Sequence, residues 1–418
     1  MANNYICAVD IGSSKIAASL SRMRGRRIVN MYFESVPVKG IKRGIITDSI
    51  ALTGGLSKLL KGLKVKSRIN IKYIYVNISG SEIITKHSHA VIPLAERGNK
   101  VITLSDIQKV NEQARILASS LEEEIIHQMP FGYTIDSRGN ILNPLGLYSH
   151  RLEVDLYLVC AKISSIQNIS RVVNQAGYEI KNLSFSGLAT SNVVFGKELQ
   201  EGINILCDIG SDITEVLVFK DGLPWDIMIL PIGGEDITLE LSDALKISPD
   251  LAEDAKRTYG KAGDFSQRQE DKEILIKKGD VFKPLSQKLV CQLITSKTEL
   301  ICQKIKEALD KKIDSRRIDN FVTVGRTILL EGFLEVLENS LGVQVKIGRV
   351  ACPEIASLLN TDNNLSGQRY LNYITSLGML CEASRVKQHS VLSQDQSAAQ
   401  SPLRKVIDKC REVYEEYF

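Results

Sequence analysis

The sequence predicts an α/β fold built from two related halves, with a smaller α+β module set into the first half. Three observations carry this. One short motif occurs twice, as Val9-Asp10-Ile11-Gly12-Ser13-Ser14-Lys15 and as Cys207-Asp208-Ile209-Gly210-Ser211-Asp212. Each copy lies between two apolar, strand-like runs: Tyr5 to Val9 and Ile16 to Leu20 for the first, Ile203 to Cys207 and Ile213 to Phe219 for the second. Between the copies, residues 84 to 163 read as a separate module, a helix followed by short strands and turns. A strand, a tight Asp-x-Gly turn and a second strand make a hairpin whose tip presents backbone N–H groups, and glycine lets that backbone approach a ligand closely. A single Asp-Ile-Gly is an ordinary turn. Two of them, one in each half, suggest duplicated domains facing each other across a phosphate.

Composition sets the bounds. A chain of 418 residues is long enough for two to four units with real cores. With 44% hydrophobic and 24% charged residues it is an ordinary globular composition, and a net charge of +4 gives no support to nucleic-acid binding. The eight cysteines are scattered through apolar segments with no Cys-x-x-Cys pair, and there are only five histidines, so a zinc site is not expected and the thiols read as reduced and buried in a cytosolic protein. The start, MANNYICAVD, enters a strand directly with no export-signal pattern, and no apolar run approaches the roughly 20 residues that span a bilayer.

In chain order, Tyr5 to Val9, Ile16 to Leu20 and Arg27 to Ser35 have strand character, and Asp48 to Leu63 has apolar positions at helical spacing. Ile71 to Ile78 is a further strand ending at Ser79-Gly80. Leu104 begins a helix with Ser105 as N-cap and Asp106 as a first-turn charge, running to about Ser119. Strands follow at His127 to Ile135 and Leu152 to Cys160, then a helix from Ile166 to Ala176 closed by Gly177. Ser286 to Leu309 is a long amphipathic helix, and Asn320 to Leu334 returns to strand, turn and helix. Residues 383 to 400 are polar and aperiodic and read as a flexible linker. After it, Ser401 is an N-cap candidate, Pro402 suits the first helical position, and Leu403, Val406, Ile407, Cys410, Val413, Tyr414, Tyr417 and Phe418 share one face.

The paired hairpins resemble those with which the actin, Hsp70 and sugar-kinase superfamily holds ATP. Further motifs are similar to those of the bacterial cell-division family FtsA: Gly40-Ile41-Lys42-Arg43-Gly44 with Ser79-Gly80, Asn143-Pro144-Leu145-Gly146-Leu147 with Arg151-Leu152-Glu153, Gly187-Leu188-Ala189-Thr190-Ser191, and Leu230-Pro231-Ile232-Gly233-Gly234. Their order and spacing are more specific than any one of them. The resemblance implies an actin-like fold of duplicated ribonuclease-H-like domains, with a small α+β domain in place of one actin subdomain. It divides the chain into a first core (1–83 plus 164–200), the insert (84–163), a second core (201–235 plus 303–382), a peripheral subdomain (236–302), the linker (383–400) and a membrane-targeting helix (401–418).

The resemblance also implies ATP and Mg2+ as ligands. The nucleotide site would comprise Asp10, Gly12, Ser13, Ser14, Lys15, Asp208, Gly210, Ser211, Gly233, Gly234, Lys297, Gly325, Arg326 and Thr327, with Asp10 and Asp208 toward the metal. Lys15 either lies at the phosphates or points into solvent. Three departures from the family pattern weaken the case for turnover. Val324-Gly325-Arg326-Thr327 replaces a glycine-rich loop, and Arg326 either adds bulk there or stacks on the base or pairs with a phosphate. Ser211 and Asp212 replace glycines, and a carboxylate beside a triphosphate is repulsive without a bridging cation. Thr295 stands where the family has a ribose-holding acid, ahead of Lys297 at the family's arginine. No Gln or Glu close to Gly187 in sequence offers itself as a water-activating base.

The implied function is a cell-division adaptor at the cytoplasmic face of the inner membrane at the division site. It would bind ATP with weak or no turnover, polymerise with itself, and grip the C-terminal tail of FtsZ through Arg257, Lys283 and Lys288. It would rest on the anionic membrane surface by its terminal helix and help recruit later divisome proteins. In that helix four bases (Arg404, Lys405, Lys409, Arg411) are matched by four acids (Asp408, Glu412, Glu415, Glu416), so docking on a protein surface is the competing reading. Two alternatives stay open for the whole chain: an active ATPase or sugar kinase of the superfamily, and an actin-like scaffold of type IV pilus assembly resembling PilM.

Overall fold

In a computed structural model of the chain, the duplication read from the two hairpins becomes two five-stranded sheets of one topology. The structure describes residues 5–24, 27–95, 98–195, 201–263, 273–278, 281–361, 365 and 367–389. In the first lobe, β1 (Tyr5–Ile11), β2 (Lys15–Arg24) and β3 (Arg27–Pro37) form an antiparallel meander. A small hairpin of β4 (Ile41–Lys42) and β5 (Ile45–Ile46) leads to helix α1 (Ser49–Ser67), whose N-cap Asp48 accepts the Ala51 N–H. Strand β6 (Tyr73–Ile78) then pairs parallel to β1.

The chain next leaves the lobe to build the insert: β7 (Ile83–Pro93), β8 (Lys100–Val101), α2 (Leu104–Ala118), β9 (Glu123–Ile135), β10 (Arg138–Ile141), β11 (Tyr148–Ser149) and β12 (Arg151–Lys162). Its four-stranded sheet runs β10-β9-β12-β7, and α2 packs on it through Val110 and Ala114 against Leu152, Val154 and Leu156, a core separate from those of the lobes. The N-cap of α2 is Thr103 rather than Ser105. Thr103 and Asp106 form a reciprocal capping box, which satisfies two helix-end groups at once. β12 runs straight into α3 (Ile163–Gln175), and β13 (Glu179–Phe185) completes the first sheet, in the order β13-β6-β1-β2-β3.

Helix α4 (Ser186–Val194) carries the chain toward the second lobe, where the pattern repeats. β14 (Ile203–Ile209), β15 (Thr214–Lys220) and β16 (Leu223–Leu230) are the antiparallel meander. Helices α5 (Gly234–Leu245) and α6 (Pro249–Tyr259), the hairpin of β17 (Glu273–Lys278) and β18 (Val281–Ser286), and α7 (Gln287–Asp310) lie between the meander and β19 (Ile318–Val324). The long helix α7 starts at Gln287 because the Ser286 side chain caps it through the Leu289 N–H. After α8 (Phe333–Leu341) comes β20 (Val345–Ile347), and the second sheet runs β16-β15-β14-β19-β20: three antiparallel strands and then two parallel ones, as in the first.

Helix α9 (Pro353–Thr361) precedes α10 (Ile374–His389), which returns to the first lobe. α10 crosses α4 closely, with Thr190–Thr375 at 3.3 Å as a buried hydroxyl pair, and it meets β2 through the buried Ser19–Ser376 pair at 2.6 Å. Because α10 continues to His389, residues 383–389 of the segment read as linker are helical, the run being anchored by buried Leu377, Leu380 and Ala383. Residues 390–418, which include the rest of the linker and the whole membrane-helix reading, lie outside the described residues. No helix among the described residues is long and apolar enough to cross a membrane.

Candidate functional site

The two hairpins have the same local build. Gly12 N–H donates to the Lys15 carbonyl at 3.0 Å, and Gly210 N–H donates to the Ile213 carbonyl at 3.0 Å. Each thus closes a tight turn directly after an aspartate at the end of a buried strand. Asp10 and Asp208 face each other closely enough that the charge on Asp10 raises Asp208, and both carboxyls act on Lys15. Asp10 is held by Asn77, whose Nδ2 donates to its carboxylate at 2.8 Å while Oδ1 accepts the Ile11 N–H at 2.6 Å. Asn77 is buried on β6, and its amide also reaches Ser186 Oγ at 2.9 Å.

Lys15 is drawn into the protein and does not point freely into solvent. Its Nζ donates to the Asn372 carbonyl at 2.7 Å and to Asn372 Oδ1 at 2.9 Å. Ser13 and Ser14 form the hairpin tip, Ser13 half-buried and Ser14 exposed.

A third carboxyl joins the pair. Glu215 on β15 sits directly across from Asp208 in the register of the second hairpin, is buried, and accepts the Ser79 hydroxyl through Oε1. Its Oε2 is buried with no hydrogen-bond partner and lies 3.0 Å from where a Cβ on Gly187 would be. The expectation that no acid stands beside Gly187 is therefore corrected: the carboxylate comes from a strand 28 residues away in sequence, brought there by the sheet (Gly187 to Glu215). A lone acid in the apolar run Thr214-Glu215-Val216-Leu217-Val218 is the available signal, since a charge on a central strand needs a reason.

Three carboxyls and one ammonium in a buried cleft cannot all carry charge. Burial pushes Asp10 up to about 6, with Lys15 opposing. Burial and the charge on Asp10 push Asp208 up to about 7. Burial first, then Asp208, push Glu215 up to about 8. Burial brings Lys15 down to about 8 against the pull of Asp10 and Asp208. A cleft of this kind has a deficit of positive charge that a divalent cation would fill. Among the described residues no cluster of three or more ligating side chains could cage a metal directly.

The predicted glycines of the second half close on the protein itself. A Cβ on Gly233 would lie 2.4 Å from the Ser211 carbonyl oxygen, one on Gly234 2.5 Å from Thr327 Oγ1, and one on Gly325 (φ +95°) 2.3 Å from the Ile209 carbonyl oxygen. Thr327 Oγ1 and Gly234 N–H both donate to the Gly210 carbonyl, at 2.7 and 3.0 Å, and Glu235 N–H donates to the Ser211 carbonyl at 2.8 Å. The loops after β16 and β19 are thereby locked onto the second hairpin, and the start of α5 points into the same region. Of the glycines expected to approach a nucleotide, Gly233 and Gly325 are needed first for backbone-to-backbone packing, and Gly234 for the close approach of the Thr327 side chain. Arg326 is half-buried between Gly325 and Thr327.

Beside Gly234, Lys256 Nζ donates to the Gly234 carbonyl at 2.8 Å and to Thr238 Oγ1 at 2.7 Å, and pairs with Glu253 at 2.5 Å. Nothing in the sequence distinguishes Glu253 or Lys256 from surface charges of an amphipathic helix. They bring a carboxylate and an ammonium beside Gly234 and Thr238. Thr295 bonds the Gly263 N–H at 3.1 Å, and Lys297 pairs with Glu240 at 2.8 Å on the second turn of α5. Of the expected FtsZ contacts, Arg257 lies 3.6 Å from Glu253 on the exposed side of α6, and Lys288 is exposed on the first turn of α7. The Lys283 side chain, like the membrane-helix residues, lies outside what the structure describes.

Asp212 has a structural partner on the opposite lobe. Its Oδ2 accepts the Arg43 N–H at 3.0 Å, across the cleft. Arg43 stands in the left-handed region (φ +52°), and Gly44 packs so tightly on Ser79-Gly80 that a Cβ would lie 2.3 Å from the Ser79 carbonyl oxygen. The carboxylate that looks repulsive in the sequence is thus turned away from the hairpin tip to bridge the lobes. Asp212→Gly is expected to release the Arg43 amide, raising its hydrogen exchange about tenfold, since a hydrogen bond to a charged group contributes roughly 1.5 kcal/mol. Unchanged exchange in peptides spanning residues 41 to 46 would remove the bridge.

The two lobes of matching topology, the facing hairpins and the insert after β6 define an actin-like fold carrying a small inserted domain. Comparison with solved structures agrees: PilM of a PilM–PilN type IV pilus biogenesis complex superposes with a TM-score of 0.62 at 16% identity, covering 91% of this chain and 98% of that one. MreB5 of Spiroplasma citri bound to ADP gives 0.53 at 10% identity over 93% and 98%. The family model of the cell division protein FtsA matches residues 205–372, and that of the SHS2 domain inserted in FtsA matches residues 80–160. FtsA of Borreliella burgdorferi is 25% identical over 83% of this chain and 85% of its own, and FtsA of Bacillus subtilis is 25% identical over 92% and 85%. The chain belongs to the FtsA family of cell division proteins.

Proposed function

We propose that this protein is the division adaptor of its cell: it binds Mg-ATP in the cleft, polymerises through its actin-like body, and tethers FtsZ to the cytoplasmic membrane. The observation that carries the nucleotide reading is the convergence of Asp10, Asp208, Glu215 and Lys15 between two hairpins of identical build. Magnesium bound with the nucleotide supplies the positive charge that lets these carboxyls ionise. Gly12, Ser13, Ser14, Gly210 and Ser211 would present N–H groups to the phosphates, with Lys15 leaving Asn372 for them. Gly233, Gly234, Gly325, Arg326 and Thr327 would border the nucleoside, joined by Glu253 and Lys256. Before nucleotide binds, burial pushes the Glu215 carboxyl up to about 8 and keeps it protonated at neutral pH. The departures from the family pattern at Val324-Gly325-Arg326-Thr327 and at Thr295 favour ATP as an assembly ligand with weak or no turnover.

The remaining parts follow the family. Residues 236–302 would take the FtsZ tail, the insert would serve filament contacts and later divisome proteins, and residues 401–418 would lie in the membrane interface. Weak membrane affinity of one terminal helix would be multiplied by polymerisation. The likeness to PilM is one of fold, and the matched FtsA family models favour the division role over the pilus role.

The reading is tested by titrating a fluorescent ATP analogue with Mg2+. Lys15→Ala is expected to weaken binding about thirtyfold, the worth of roughly 2 kcal/mol for a charge-assisted hydrogen bond. Micromolar binding that survives this change intact, or no binding by the wild type, would withdraw the cleft assignment. Pelleting with anionic vesicles, with and without residues 401–418, tests the tether: equal behaviour of both forms would count against it.

A further inference from the structure

Helix α1 packs on the outer face of the first sheet through Leu52, Leu56, Leu59, Leu60 and Leu63, and turns an entirely basic face to solvent. At helical spacing that face carries Lys58, Lys61, Lys64 and Arg68, all exposed, and the helix contains no Asp or Glu. The four cations make no ion pair among the described residues. Glu34, under Gly62, is taken by Lys66, and Asp48 is occupied as the N-cap. Arg22 adds a further cation at the helix end, its guanidinium donating to the Ser67 carbonyl at 3.2 Å. Lys64, Lys66 and Arg68 are near the C-terminus, where the helix dipole favours cations. Lys58 and Lys61 are mid-helix, where it does not. Two apolar residues bracket the same face, Ile50 at 83% and Val65 at 78% exposed.

We propose that the exposed face of α1 is a second membrane contact, which docks the folded body on anionic lipid headgroups. The convex helix presents the cations from Lys58 to Arg68 along about 15 Å of its exposed face, a geometry suited to a flat anionic surface and not to a pocket. Ile50 and Val65 can enter the headgroup layer at either end. The terminal segment supplies no net attraction to anionic lipid, because Arg404, Lys405, Lys409 and Arg411 are offset by Asp408, Glu412, Glu415 and Glu416. Preference for an anionic bilayer must then come from elsewhere on the chain, and α1 carries four exposed cations with no ion pair among the described residues. The inference rests on the membrane reading above, and it assigns to a different surface the charge selectivity that reading lacks.

The test uses the full chain and two vesicle types, phosphatidylcholine alone and phosphatidylcholine with phosphatidylglycerol. The variants are Lys58→Gln/Lys61→Gln/Lys64→Gln, the corresponding triple change to Arg, and Tyr414→Glu/Tyr417→Glu in the tail. Thermal melting confirms that each variant folds. The Gln variant is expected to bind the anionic vesicles on the order of a hundredfold more weakly, to lose its preference over neutral vesicles, and to show a shallower salt dependence, while the Arg variant behaves as wild type. A loss of less than about tenfold in the Gln variant, with the wild type binding, overturns the α1 contact and leaves the tail reading in place. Acidic protein would then be the partner left for this face. Wild-type protein that pellets with neither vesicle overturns both.

Discussion

Gly378→Ala should destabilise the protein by about 3 kcal/mol, the upper end of the usual cost of overpacking a core. Gly378 lies in α10 where that helix crosses α4, and a Cβ there would sit 1.9 Å from the Ala189 carbonyl oxygen and 2.4 Å from its carbon. The colliding atoms are backbone, so no side-chain rotamer can relieve the clash and the two helices must separate. Separation would loosen the Ser19–Ser376 and Thr190–Thr375 pairs and the buried contacts of Leu377 and Leu380. The two helices are also where the chain passes between the lobes, so the change should alter lobe opening as well as stability. Gly54→Ala is the matched control. Gly54 is inside α1, and a Cβ there would meet no atom within 4 Å. Alanine at that position should gain up to about 1 kcal/mol from helix propensity and a smaller unfolded-state entropy. Urea unfolding of the two variants reads both signs, and equal stability would show that the α4–α10 crossing has slack the geometry denies.

Glu215→Gln should stabilise the nucleotide-free protein at pH 8 by a few kcal/mol, on the scale of about 1.4 kcal/mol per unit of pKa displacement. In the unfolded chain these carboxyls titrate near 4. In the folded cleft Asp10, Asp208 and Glu215 are raised to about 6, 7 and 8. Between those limits the folded state holds more protons than the unfolded one, so stability falls as pH rises from about 4 to about 8. Lys15, lowered to about 8, acts in the opposite sense between there and its ordinary 10.5. Melting in EDTA across pH 5.5 to 8.5 should therefore show a declining midpoint for the wild type and a flatter, higher curve for Glu215→Gln. Mg-ATP should reduce the wild-type decline, since the cation neutralises the same cluster. A wild-type curve level over this range would falsify the coupled-cleft description.

Several parts of the site are legible in the chain because they are local. A glycine after an aspartate at a strand end specifies its own turn, and both copies do so at Gly12 and Gly210. The leucines of α1 at helical spacing already define its buried face. The cap of α7 at Ser286 follows from a hydroxyl before an apolar periodicity. Thr103, by contrast, takes the cap of α2 from Ser105 because only a residue three before Asp106 can complete the reciprocal pair. A run of adjacent polar residues offers both and does not choose between them.

Pairing at long range is set by the assembled fold alone. Asp212 and Arg43, Lys15 and Asn372, Glu215 and Ser79, and Lys256 and Gly234 each join residues whose types are ordinary where they stand. Their meaning comes from two lobes of equal topology meeting across one cleft, which brings strand ends from distant parts of the chain together. Turn geometry and apolar periodicity are properties of short segments. They suffice to specify two such halves, an insert after the first run of strands, and hairpins fit for phosphate. Which carboxyls are raised together by burial, which glycines are closed by backbone, and which helix face remains basic and unpaired depend on distances and burial that no short segment contains.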